Sequence, residues 1–132
     1  MSVYDALGAA LADAGIAAEE HPGEGYLSFP LDDWLGVAQA WEEHGQASVF
    51  AIWPEPVPRD RMAEAAIALA KLSFDLRLGA FVLDPDEGEI RFRASIDFAD
   101  REPDPALVRP LLMVAAGMAA HHEDLIRGLA PG

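Results

Sequence analysis

The chain has no cysteine among its 132 residues, which removes disulfide scaffolds, thiolate zinc sites and thiol nucleophiles together. Basic side chains are scarce: nine Lys and Arg stand against 23 Asp and Glu, for a formal charge of −14. So acidic a balance repels phosphate at long range and forfeits the electrostatic attraction behind non-specific nucleic-acid binding. Nucleic acid and anionic membranes are therefore not expected as partners, and the acidity reads first as a solubilising surface. Long apolar runs are also missing. The longest, Leu111 to Ala120, is Ala/Gly-rich and too short to cross a bilayer. No basic segment leads into an apolar stretch with a small-residue cleavage site, so a cytoplasmic location is expected. There is no glycine-rich phosphate loop, no serine elbow and no histidine beside a plausible nucleophile. Neither a cofactor nor a metal is expected.

What is present is ample apolar content, 52% of residues, at the length of one domain spanning residues 1–132. The most informative stretch runs from Leu78 to Phe98. Ile90, Phe92, Ala94, Ile96 and Phe98 alternate with Glu89, Arg91, Arg93, Ser95 and Asp97, the period of a strand with one buried face. Asp84-Pro85-Asp86-Glu87-Gly88 supplies a turn before it: Pro85 presets φ, Asp86 can bond its own backbone, and Gly88 can take φ > 0. Leu78 to Phe98 therefore predicts an antiparallel hairpin.

Around it the pattern is mixed. Ser2 to Asp5 resembles a capping box ahead of Leu7, Ala10, Leu11 and Ala14 at helical spacing, with Gly15 as the stop. Tyr26–Leu31 and Ala47–Trp53 suit strands by their aromatic and β-branched content. Trp34–Glu43 is ambiguous, but Leu35, Val37 and Trp41 at even spacing and a His44-Gly45-Gln46 connection favour a third strand. The alternating prolines of Pro54–Pro58 make an extended connector. Met62, Ala66 and Leu69, flanked by Ile67 and Leu72, read as a helix reaching about Leu76. Asp104-Pro105 opens a last helix to about Arg127, which Pro110 should kink or restart. Its apolar run has no polar side and should be covered on more than one face.

Residues able to do chemistry are few and dispersed. His121-His122-Glu123-Asp124 is the tightest cluster of possible ligands, yet adjacent helical residues diverge and only His121 and Asp124 share a face. His21 and His44 lie among glutamates in expected loops, with nothing to bring them together. The Asp84 turn is no calcium loop: its sixth position is Glu89 and its twelfth Ser95. Asp32-Asp33 would serve acid/base chemistry only if buried together. Arg91 and Arg93 should pair across strands with carboxylates. Of Trp34, Trp41 and Trp53, at least two are expected in the core.

The order helix, three strands, helix, two strands, helix, with Leu78-Gly79-Ala80-Phe81-Val82-Leu83-Asp84, Gly88-Glu89-Ile90-Arg91-Phe92-Arg93 and Ser95-Ile96 ahead of an apolar helix, resembles the YbjN family over about Leu7 to Leu129. The fold of that family is like that of class I type III secretion chaperones. The resemblance implies an α+β fold, α-β-β-β-α-β-β-α with an antiparallel sheet, and an acidic homodimer without catalytic machinery that binds protein segments or acts in regulation. It also implies that the middle helix, Met62 to Leu72, helps form the dimer. The expected assignments are Met62, Ala66 and Leu69 at a dimer interface and Trp41, Phe50 and Trp53 at a protein-binding surface. The competing readings are a small hydrolase or ligand-binding enzyme built from scattered Asp, Glu and His, and an obligate subunit of a larger complex.

Overall fold

The computed structural model describes residues 1–132. Helix α1 (Val3–Asp13) precedes four strands, β1 (Glu19–His21), β2 (Tyr26–Leu31), β3 (Trp34–Trp41) and β4 (Gln46–Ile52). Helix α2 (Met62–Phe74), the hairpin β5 (Ala80–Leu83) and β6 (Ile90–Asp97), and helix α3 (Pro105–Leu129) complete the chain. The six strands form one antiparallel sheet in the order β1-β2-β3-β4-β6-β5. This is the expected α+β architecture with one strand added. β1 has only three residues, Glu-Glu-His, and no β-branched or aromatic signal. Its conformation follows from pairing with Tyr26–Ser28, not from local preference.

Local chemistry sets the boundaries. Ser2 Oγ accepts the Asp5 N–H, and the Glu42 carboxylate, reaching across from the β3–β4 connection, accepts the Val3 and Tyr4 N–H groups at the start of α1. Asp104 Oδ1 accepts the Ala106 N–H at the start of α3, with Pro105 in the first turn. Pro110 neither ends nor restarts α3, which is one helix of 25 residues. In the hairpin turn it is Asp84, not Asp86, whose side chain bonds the backbone. Its Oδ1 accepts the N–H of Asp86 and of Glu87, and these two bonds hold the carboxyl below the usual Asp range. Gly88 takes φ +76 there, and its carbonyl accepts the Val57 N–H at 2.9 Å, which seats the turn on the proline connector.

All three helices lie on one side of the sheet, over a core of 29 buried residues. The inward face of β3 and β4 is built of small residues between two tryptophans: Gly36, Ala38 and Ala40, then Ala47, Val49 and Ala51, flanked by Trp34 and Trp53. Gly36 is paired with Phe29, whose ring occupies the space a side chain would need; a Cβ there would lie 2.2 Å from it. β6 contributes Ile90, Phe92 and Ala94, fully buried as the alternation predicts, with Phe92 edge-on to Phe81 at 5.1 Å. The opposite face of the sheet carries no helix.

Both sheet edges are blunted. At the β5 edge, Ser73 from the end of α2 accepts the Phe81 N–H (2.9 Å) and donates to the Phe81 carbonyl (3.3 Å). At the other edge β1 covers only half of β2, and Pro30 in the uncovered half has no N–H to offer.

Candidate functional site

No three His, Asp or Glu side chains come together in a group able to hold a metal ion. The C-terminal cluster diverges around α3 as helical geometry requires. Glu123 accepts the Trp34 indole N–H and pairs with Arg127; the half-buried His122 ring stands edge-on to Phe81 at 5.6 Å; His121 and Asp124 face solvent. Burial lowers the His122 pKa, helped by the neighbouring His121. Asp32 and Asp33 are both exposed in the β2–β3 turn, with Asp33 bonded to Arg127 at 3.2 Å.

One arrangement has the composition of a catalytic relay. His21 Nε2 lies 3.1 Å from Ser28 Oγ and 4.0 Å from Glu19. Both contacts fall on the same ring nitrogen, so Glu19 cannot orient the imidazole from its far side while the near side takes a proton from Ser28. His21 is instead stacked on Tyr26 at 4.3 Å, part of an open sheet surface.

The arginines of β6 differ from expectation. Cross-strand neighbours of Arg91 are Ile52 and Val82, and those of Arg93 are Phe50 and Ala80, so no carboxylate stands opposite either one. Arg91 pairs with Glu89, just ahead of its own strand, and lies over the Phe50 ring, 5.3 Å from its centroid.

Two apolar surfaces remain. One is the outward side of α2. Ala65 and Leu69 point into the core, and Leu69 is only 2% exposed. Of the three residues expected at a dimer interface, Leu69 is therefore a core residue, Met62 is half-buried beside it, and Ala66 alone lies fully on the open side. That side is continued by Ile67, 58% exposed, Ala70 and Phe74, 88% exposed, with Leu78 just beyond, 69% exposed. The sequence signal was present as a second stripe at i, i+3, i+4 and i+7, namely Ala63, Ala66, Ile67 and Ala70. With both stripes apolar, periodicity alone did not say which one faced inward. A groove of about 220 Å³ lies beside Leu78, between the Asp75–Gly79 loop and Val114 and Met118 of α3. α3 itself is not enclosed: Met113 is exposed and nothing lies against Gly117. Leu107 and Leu125 of the same helix are exposed as well.

The second surface is the bare sheet face, where Leu35, Val37, Trp41, Phe50 and Ile52 lie on neighbouring strands. Trp41 is 42% exposed and donates its indole N–H to Ser48 Oγ, which is bonded in turn to Ser95. Phe50 is on this face, though hemmed by Arg91 and its strand neighbours. Trp53 is not. It points inward, 2% exposed, donating its indole N–H to the Ala130 carbonyl at 2.8 Å beneath the Arg127 guanidinium. Alternation explains the difference, since Trp53 falls in step with Ala47, Val49 and Ala51.

No family profile and no curated protein matches the chain. Solved structures do. YbjN from E. coli, described as a putative transcription regulator, superposes with a TM-score of 0.70 at 13% identity, covering 91% of this chain and 92% of that one. The Yersinia pestis type III secretion chaperone SycH, solved with a stable fragment of YscM2, gives 0.59 at 14% identity, covering 91% and 98%. The ExoT–SpcS complex from Pseudomonas aeruginosa gives 0.62 at 15% identity, covering 89% and 94%. At these identities the likeness speaks to architecture alone: the chain has the α+β fold shared by YbjN and the type III secretion chaperones.

Proposed function

We propose that the protein is a non-catalytic, homodimeric, chaperone-like protein of the cytoplasm that holds a segment of a partner polypeptide, and that α2 forms the contact between copies. The observation that carries the dimer is the coincidence of exposure and charge on one element. Arg59–Leu78 holds four of the nine basic side chains, Arg59, Arg61, Lys71 and Arg77, against Asp60, Glu64 and Asp75. In a chain of charge −14 this segment carries one more cation than anions, so two copies meeting there escape much of the like-charge repulsion. It is also where Ile67, Phe74 and Leu78 stand in solvent. Ala63, Ala66 and Ala70 between them allow close approach of a two-fold related helix.

Protein binding is supported by shallow apolar surfaces without a convergent set of ionisable groups, and by solved relatives of the fold that include a chaperone bound to a protein fragment. Light scattering on the purified protein tests the dimer: a dimer is expected at micromolar concentration, and Ile67→Glu should give a folded monomer. Partners recovered from the native host, identified by mass spectrometry and rebuilt from purified components, test the second half. A wild-type monomer would overturn the dimer, and turnover by a partnerless preparation would overturn the binding reading.

A further inference from the structure

The bare sheet face carries large apolar side chains that nothing in the chain covers. Beneath the helices β3 and β4 present Gly, Ala and Val between Trp34 and Trp53, while Leu35, Val37, Trp41, Phe50 and Ile52 stand on the side no element of this chain covers. We propose that this face seats an amphipathic helix of a partner protein, apolar along its middle and basic at both ends. The proposal rests on the protein-binding reading and assigns its surface and the chemistry of its partner.

Three observations identify the occupant. First, strand addition is opposed, because Ser73 satisfies Phe81 at one edge and Pro30 blunts the other. On the sheet, a partner is thus favoured on the face over the edges. Second, charge on that face nearly balances, with Glu19, Glu89 and Asp97 against Arg91 and Arg93, whereas the turns at the two ends of the sheet carry unpaired acids. Asp32, Asp86 and Glu87 crowd one end and Glu24 and Glu43 the other, all exposed and none in an ion pair. An apolar floor of nearly balanced charge between two acidic rims complements an apolar segment with cationic ends. A second copy fits badly, since stacking sheet on sheet would bring the same rims together. Third, the length agrees. Strands of six to eight residues span about 20–26 Å at roughly 3.3 Å per residue, the length of a helix of about 13–17 residues.

Trp41 is the natural reporter, being 42% exposed while Trp34 and Trp53 are 4% and 2% exposed. The experiment titrates the full chain with a synthetic amphipathic peptide of about 18 residues, Leu and Ala in its middle and Lys at both ends, and with a twin carrying Gln in place of Lys. The basic peptide should shift Trp41 emission to the blue and shield it from acrylamide. The Gln twin should bind about tenfold more weakly, and about 0.5 M salt should narrow that gap. Leu35→Asp, at a position 46% exposed and so compatible with folding, should abolish the shielding, whereas Ile67→Asp on α2 should leave it intact. Binding that leaves Trp41 quenching unchanged, equal affinity for the two peptides, or no binding overturns the proposal. A native partner that still binds the folded Leu35→Asp variant would overturn it too, while leaving the protein-binding reading in place.

Discussion

Gly88 joins the hairpin turn to the rest of the molecule, and its replacement separates two effects that usually arrive together. Gly15, at the end of α1, has nearly the same backbone, φ +72 against φ +76, but nothing within 4 Å of where a Cβ would stand. Gly15→Ala should therefore cost only the left-handed conformation, about 1–2 kcal/mol. Gly88→Ala incurs the same strain and also places its methyl 2.8 Å from the Val57 carbonyl oxygen and 3.2 Å from its nitrogen. These atoms are backbone, held by the Val57 N–H to Gly88 bond and by the burial of Val57, so relief means lifting the turn off the connector. Losing that hydrogen bond adds about 1 kcal/mol, and partial exposure of the Val57 side chain about another 1 kcal/mol. The total for Gly88→Ala is about 3–4 kcal/mol, a large share of the roughly 5–15 kcal/mol available to a domain. Gly88→Val should be worse, because a β-branched residue resists the left-handed region more strongly. Urea unfolding of the three variants followed by tryptophan fluorescence decides the matter, read as midpoint shifts at constant slope. Equal losses for Gly15→Ala and Gly88→Ala would refute the docking of turn on connector, and no loss for either would refute the backbone assignment.

Phe92→Ala should destabilise by about 3–5 kcal/mol, because the ring is fully buried against Phe81; a denaturant titration within error of wild type would mean the β6 register is wrong. Leu69→Glu should unfold the protein, whereas Ile67→Glu about half a turn away should separate the dimer and keep the helical circular dichroism. His122 has its pKa lowered by burial, so the folded state binds its proton less readily than the unfolded chain and stability should fall as pH drops below the ordinary imidazole pKa, about 6.5; thermal melts between pH 7 and 5 should show that fall reduced in His122→Gln. Purified protein should carry no stoichiometric metal and EDTA should leave its thermal midpoint unchanged, with elemental analysis as the check.

Much of the architecture was legible because local patterns agreed with the tertiary ones. Tyr26–Leu31 is β2 to the residue, the hairpin alternation gives β6 its buried face, and Asp104-Pro105 opens α3. What escaped was whatever depended on a neighbour. β1 has no pattern of its own, and the even spacing of Leu35, Val37 and Trp41, which marks β3 as a strand, belongs to its open side. An amphipathic rule assumes that the bulkier stripe faces inward. Here helices lie close over Gly and Ala, so Phe50 and Trp41 went outward, while Trp53, at the strand end, turned in. The arginines escaped for the same reason, since their partners are set by a register that no single strand records.

The sheet order bears on synthesis as well. β1 to β4 form a meander of short-range pairings that can close as soon as each strand appears. β4 then waits. Its outer neighbour is β6, not the next strand made, so its edge stays unpaired until the chain has been extended through α2 and β5 to Asp97. During that interval the nascent protein displays the hydrogen-bonding edge that the finished molecule conceals, and Phe50 and Val49 lie on it. Intermolecular association should therefore be greatest for chains truncated between Ile52 and Asp97, and should vanish once β6 has been added.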